Sequence, residues 1–257
     1  MTHDSVFSQN LFLPYSMMGA NNHVRMDRLL SLFQDVAGIH AHQMGVSGFD
    51  LAEKQLKWVI SRYQIRVIEP LQWPGPYVLK TWRYPWKNLY EIREFEVVSP
   101  QGVTQVQALS VWVMVRAENT RPVRLSYHMP PGLLHETAPA PPDLWTNTPD
   151  LSRWEHQKSF PIRIHDLDLN QHVNNTRYVA WALESLPMPW LFSHVPVTLV
   201  IGFLKETFYP GTVTVKTSVS EDTPPVTTCH GIFNETGDHT LAALTLTWKQ
   251  NPNVLVC

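Results

Sequence analysis

One order of elements occurs twice along this chain, and that repetition constrains the fold more than any other feature of the sequence. In the first half a short apolar segment at 11–15 precedes a helical pattern. In it Met26, Leu29, Phe33, Val36, Ala37, His40 and Met44 recur on one face. Four strand-like runs follow, at 58–68, 77–86, 90–98 and 104–115, with Pro100-Gln101-Gly102 as a turn between the last two. In the first run, period two places Val59, Ser61, Tyr63, Ile65 and Val67 on one face, and Arg62, Gln64 and Arg66 on the other. The second half gives the same order: a strand at 156–164, a helix at 174–185, then strands at 197–207, 213–219, 226–233 and 240–248. Its helix is apolar almost all round (Tyr178, Val179, Trp181, Ala182, Leu183), with Leu186 just beyond, and such a helix must be enclosed.

Local echoes support duplication. Pro74-Gly75 precedes Lys80-Thr81 by the spacing that separates Pro210-Gly211 from Lys216-Thr217. Ala108-Leu109-Ser110-Val111 is similar to Ala243-Leu244-Thr245-Leu246, and Asn21-Asn22-His23-Val24 to Asn170-Gln171-His172-Val173, each of the latter just before its helix. Between the halves, Pro130, Pro131, Pro139, Pro141, Pro142 and Pro149 exclude a helix interior or a central strand. A buried helix followed by an antiparallel sheet that curls around it is a hot-dog unit. Two in tandem bury each other's sheet edges. The expectation is an α+β double hot dog: a first unit over 1–125, an extended proline-rich linker over 126–155 and a second unit over 156–257.

At 257 residues, 44% hydrophobic and 16% charged, the chain has material for two modest cores. The formal charge of −2 gives no drive toward nucleic acid. Residues 57–124 carry ten Lys/Arg against five Glu and no Asp, read on charge alone as solvated strand faces. Two cysteines, Cys229 and Cys257, form neither a disulfide framework nor a CxxC site. No signal peptide opens the sequence, and no apolar run approaches the roughly 18–20 residues of a membrane span, so a cytoplasmic location without membrane insertion is expected.

The densest polar cluster is His165-Asp166-Leu167-Asp168-Leu169-Asn170-Gln171-His172-Val173-Asn174-Asn175. If extended, it aims Asp166, Asp168 and Asn170 one way. It then enters the N-terminus of the second helix, where unpaired N–H groups can hold an oxyanion. Ordinary helix capping needs only one or two such residues. An EF-hand fails, because Gln171 stands at its glycine position and Arg177 at its twelfth. Zinc-ligand spacing is missing, and Gly45-Val46-Ser47-Gly48 misses a nucleophile elbow by one residue. No metal and no cofactor are expected.

The run Asp166-x-Asp168-x-Asn170-x-His172-Val173-Asn174-Asn175-x-x-Tyr178, with Trp181 and Glu184, resembles the signature of the acyl-ACP thioesterases of plants and bacteria. The resemblance extends to Gln34-Asp35-Val36-Ala37, His40-Ala41, Trp58-Val59, Trp112-Val113-Met114 and Thr120-Arg121. It implies a thioester hydrolase of fatty acid biosynthesis acting on acyl carrier protein loaded with a fatty acyl chain. Its functional residues fall on Asp168, Asn170 and His172, and its catalytic glutamate on Glu206. On this reading Glu206 is the base, set with Asn170 around one water. His172 orients that water or protonates the leaving thiolate, Asp168 orients Asn170 or the loop, and N–H groups near Val173 and Asn174 face the oxyanion. The plant enzymes commonly place Cys after the glutamate. Here Thr207 stands there, which favours direct attack by water. Gly19 replaces the carboxylate in the first copy, so the first half is expected to shape the acyl pocket without doing chemistry. Alternatives are an acyl-CoA thioesterase and a non-catalytic acyl-chain-binding protein of this fold. Oligomeric state is left open, with a homodimer among the allowed assemblies.

Overall fold

The β-branched and alternating runs all become strands, and the computed structural model, which describes residues 6–135, 153–220 and 225–252, joins them in one sheet. In chain order the elements are β1 (Val6–Leu11), α1 (Met26–Gln43), α2 (Gly48–Ala52), β2 (Leu56–Val67), β3 (Tyr77–Trp86), β4 (Tyr90–Val98) and β5 (Thr104–Arg116). The second half adds β6 (His156–Pro161), α3 (Asn175–Glu184), α4 (Met188–Ser193), β7 (His194–Phe203), β8 (Thr212–Ser220), β9 (Val226–Phe233) and β10 (Thr240–Gln250). The strand order is β1-β3-β4-β5-β2-β7-β10-β9-β8-β6. The second five are the counterparts of the first five in reverse, joined where β2 meets β7 antiparallel. This is the expected α+β double hot dog, and the junction removes one edge from each half-sheet.

The two long helices touch each other and share one core with the sheet. The apolar face read from the sequence of α1 is buried as expected, including Met26, Leu29, Phe33 and Val36, and Leu30 is buried with it. Phe33 stacks on Phe95 with centroids 4.9 Å apart, and Phe95 on Tyr63 at 5.9 Å, so aromatic area fills the interior of the first half. In the second half Tyr178, Val179, Trp181 and Ala182 of α3 are buried in the same core. Glu184 is exposed, so the helix is enclosed on most of its circumference but not all.

Three strand readings need correction. A bulge between Ile60 and Arg62 shifts the register of β2 against β5. The extra residue switches the alternation, so Leu56 and Ile60 join Tyr63 and Ile65 on the buried side, while Val59 joins the side of Arg62. The strand read at 197–207 runs instead from His194 to Phe203, leaving Glu206 beyond the ladder. The strand read at 156–164 ends at Pro161, because Ile164–Asp166 coils into a 3₁₀ turn. Of the proline-rich segment, Met129 and Leu133 are buried beside Leu51, Leu56 and Met114, so its start packs against the first half. The remainder of that reading, 136–152, lies outside the described residues. Among the described residues no helix is long and apolar enough to cross a membrane.

Candidate active site

The polar run between β6 and α3 is a closed turn, not an extended strand. Leu167 bridges to Val173, the Asp168 N–H donates to the His172 carbonyl at 2.8 Å, and the Gln171 N–H to the Asp168 carbonyl at 3.0 Å. Gln171 takes a left-handed φ of 62° to close it. Inside the turn, Asp168 Oδ1 accepts the N–H groups of Asn170 at 2.8 Å and His172 at 3.2 Å. Asp168 therefore shapes the loop. The expectation that Asp166, Asp168 and Asn170 face one way fails for Asp166. Its carboxylate is buried, accepts the Arg163 N–H at 2.8 Å and meets Arg177 Nε at 3.0 Å.

The first half repeats the turn with a different tip. Met18 bridges to Val24, the Gly19 N–H donates to the His23 carbonyl at 2.7 Å, and Asn22 has φ 62°. His23 Nε2 lies 3.1 Å from Asn251 Oδ1, so its imidazole faces an amide where the second copy faces a carboxylate.

Asn174 caps α3, its Oδ1 accepting the Thr176 N–H at 2.9 Å. The backbone amides proposed for an oxyanion are committed elsewhere. Val173 N–H donates to the Thr207 carbonyl at 3.0 Å, and Asn174 N–H to the Asp166 carbonyl at 2.8 Å. The first bond stitches the hairpin to the segment after β7, and the second closes the turn. That reading is therefore corrected. Asn175 Oδ1, in contrast, is buried without a partner, and the residue lines the site.

The cleft exists because a ladder stops. The β2–β7 pairing ends at Arg62 opposite Gly202, beside the bulge. Beyond it, residues 57–60 and 203–206 separate and become opposite walls of a cleft of about 230 Å³. The hairpin supplies Asp168, Asn170 and His172, α1 supplies Gln34, and Trp112, Tyr178 and Phe203 add apolar lining. Glu206 sits across from the hairpin, with Oε1 3.3 Å from His172 Nδ1 and 3.2 Å from Lys57 Nζ. The Phe208 ring stands edge-on to the His172 ring, 4.9 Å between centroids. The buried Tyr178 phenol is pushed up in pKa, first by desolvation and then by the charges of Glu206 and Asp168.

All four residues expected to be catalytic thus border one cleft, and Asp168, Asn170 and His172 share a single turn. Lys57, Gln34, Asn175 and Trp112 were not assigned to the site from the sequence. Lys57 is separated from Glu206 by 149 positions, and nothing local announces the pairing. An imidazole beside a carboxylate in a cleft of mixed polar and apolar lining can take a proton from a water and return one to a leaving group. Among the described residues no cluster of His, Cys, Asp and Glu is arranged to hold a metal ion. Cys229 lies on β9 and is not part of the cleft lining.

The family description "Acyl-ACP thioesterase N-terminal domain" matches residues 4–129, and "Acyl-ACP thioesterase C-terminal domain" matches residues 151–250. The chain is 30% identical over 89% of its length to the chloroplastic palmitoyl-acyl carrier protein thioesterase of Gossypium hirsutum. It is 29% identical over 80% of its length to the chloroplastic oleoyl-acyl carrier protein thioesterase of Coriandrum sativum. It spans 59% and 61% of those two proteins. In structure it is similar to the 12:0-ACP thioesterase from Umbellularia californica, with a TM-score of 0.85 at 20% identity, covering 95% of this chain and 94% of that one. An acyl-ACP thioesterase from Bacteroides thetaiotaomicron gives a TM-score of 0.78 at 18% identity, covering 95% and 98%. These two likenesses establish the fold.

Proposed function

The chain belongs to the acyl-ACP thioesterase family, and from that premise we propose that it hydrolyses the thioester of a fatty acyl chain carried by acyl carrier protein. The observation that carries the reading is the 3.3 Å approach of His172 Nδ1 to Glu206 Oε1 inside a cleft walled by Trp112, Tyr178 and Phe203. A water held between Glu206 and Asn170 gives its proton to Glu206 as its oxygen attacks the carbonyl carbon. The C–S bond then breaks, and the thiolate takes the Nε2 proton of His172 while Nδ1 recovers the water's proton from Glu206 across their 3.3 Å contact. Free fatty acid and holo carrier protein are released. Asp168 holds the loop that presents Asn170 and His172. With Val173 and Asn174 committed, the side-chain amide N–H of Asn170, which lines the cleft, is the donor offered to the oxyanion. The units divide as 1–125 for the acyl pocket, 126–155 as linker and 156–257 for the four catalytic residues.

A second reading of the same pair is favoured by the Nδ1–Oε1 contact itself. There Glu206 accepts from Nδ1–H and fixes the ring, and Nε2 takes the water's proton. The two readings separate kinetically. A base at Glu206 makes Glu206→Gln as damaging as His172→Ala, whereas an orienting role leaves Glu206→Gln clearly more active.

The function is tested by hydrolysis rates on a panel of acyl carrier proteins and matched acyl-CoA thioesters. The expected result is thiol release from the carrier-protein substrates with higher kcat/KM than from acyl-CoA. Turnover confined to acyl-CoA would move the assignment to that class. Binding of acyl chains without turnover would leave a non-catalytic binding protein.

A further inference from the structure

We propose that Lys57, supplied by the first half, is a positioning residue for the reaction: its ammonium fixes the carboxylate of Glu206 against His172. The proposal rests on the thioesterase reading and deepens it, because it makes the site a product of both halves rather than of the second alone. Glu206 lies past the end of β7, where the Leu204 and Lys205 N–H groups donate to the Leu241 carbonyl and the Thr207 carbonyl accepts from Val173. The backbone is therefore held, and the side chain is what needs positioning. Two groups grip its carboxylate. Lys57 Nζ lies 3.2 Å from Oε1 and 3.5 Å from Oε2, and His172 Nδ1 lies 3.3 Å from the same Oε1. Lys57 itself stands on a rigid support, since it is in β2 with Val115 of β5 as its ladder partner.

Its placement is unlike that of a surface ion pair, whose worth is about 0–1 kcal/mol. The Lys57 side chain is only 15% exposed and the Glu206 side chain 30%, and both line the cleft. A long flexible ammonium held there loses hydration and rotamer freedom, a cost that the charge-assisted contact to Glu206 offsets. Lys205, the other cation lining the cleft, is exposed and is in the same strand-free segment as Glu206, so it cannot supply an anchor from the opposite wall. The bulge at Ser61 makes the arrangement possible. By ending the β2–β7 ladder at Arg62, it frees the first turns of β2 to face residues 204–206 across open space.

The test is steady-state kinetics on acyl carrier protein substrates with Lys57→Met, Lys57→Arg, Glu206→Gln and the Lys57→Met/Glu206→Gln double variant. Loss of the anchor lets the carboxylate wander by about an ångström, a displacement that can cost about 10²-fold in rate. The expected result is a kcat lowered by about that factor in Lys57→Met, KM little changed, and most of the rate kept by Lys57→Arg. In the Glu206→Gln background, Lys57→Met should cost nothing further, because Lys57 acts through Glu206. A full kcat in Lys57→Met with only a lower melting temperature would reduce Lys57 to a tether and overturn the proposal. An equal loss in both backgrounds, or a loss confined to KM, would overturn it too, by showing that Lys57 acts on the substrate directly. Should Lys57→Met fail to fold, Lys57→Gln and Lys57→Arg give the same comparison. A wild type that hydrolyses no thioester would instead remove the reading beneath the proposal, a result distinct from any Lys57 outcome.

Discussion

Asp168 and Gly19 occupy the same place in two copies of one turn, and what separates the copies chemically is the group that each imidazole meets, Glu206 for His172 and Asn251 for His23. Both turns close with the same backbone bonds and the same left-handed residue, Gln171 in one and Asn22 in the other. Only the second copy sets its imidazole beside a carboxylate, Glu206. His172→Ala should therefore lower kcat by about 10²–10⁴-fold, the usual cost of one acid–base group, while His23→Ala keeps kcat near that of the wild type. Comparable losses in both folded variants, measured on the same acyl carrier protein substrate, would place the chemistry in the wrong half. A second prediction concerns the nucleophile. Thr207 follows Glu206 in an irregular segment, so the strand alternation expected from the sequence does not decide where its hydroxyl points. Its known tie is the backbone carbonyl that accepts from Val173. Thr207→Val should keep most activity and Glu206→Gln lose most of it. An acyl-enzyme trapped on any Ser, Thr or Cys by mass spectrometry during turnover would overturn water attack.

At the scale of elements, helix α1 was legible because its apolar residues recur at helical spacing, and the structure buries the face so read. The stack of Phe33 on Phe95 and Tyr63 was not legible, since its members lie on α1, β4 and β2, brought together only by the sheet order. Phe33→Ala leaves a void between helix and sheet that packed neighbours cannot fill. It should cost about 3–5 kcal/mol in denaturant unfolding. A loss below about 1 kcal/mol would mean that the interior closes around the void. Strand β2 shows the opposite case, in which a correct strand carried a wrong face. Period two was applied through Ser61, and one extra residue there reverses the assignment of everything N-terminal to it.

At the scale of the molecule, each half buries a neutral histidine on its inner side. His40 accepts from Arg93 Nη1 at 3.0 Å, and its pKa is pushed down to about 4, chiefly by burial and further by the Arg93 and Arg83 charges. His230, held by Thr217 at 2.8 Å and Thr228 at 2.9 Å, is pushed down to about 3 by burial. Both stay neutral in the fold while the unfolded chain protonates near its ordinary value of about 6.5. Their contribution to stability is therefore fully present above about pH 6.5. It is lost as the pH falls toward about 4 for His40 and about 3 for His230, at up to about 1.4 kcal/mol per pH unit for each. Melting temperature should fall across that window, and His230→Gln should flatten the slope. A wild-type melting temperature that holds steady from pH 7 to pH 4 would contradict this. A further whole-molecule expectation follows from the ten Lys/Arg against five Glu over residues 57–124. Added salt should lower kcat/KM for acyl carrier protein more than for acyl-CoA, because screening acts on the encounter of two large charged surfaces. Equal salt dependence for both substrates would count against a docking role for those charges.

The sequence by itself determined the repeated order of helix and strands and the α+β double hot dog that follows, and it singled out the Asp168–His172 segment as the candidate site. Each of these rests on periodicity or on residues close together in the chain, where spacing alone sets which side chains can share a face or a turn. What only the tertiary structure decided depends on long-range register. Ending the β2–β7 ladder at Arg62 opens the cleft, and the same event sets Lys57 opposite Glu206, 149 positions away. The tertiary structure also decided which backbone amides were spent, since Val173 and Asn174 find their acceptors only once the hairpin closes and docks against residue 207. A chain read locally offers those N–H groups to a substrate. The folded chain must satisfy them internally, because an unpaired buried donor costs about 1–3 kcal/mol.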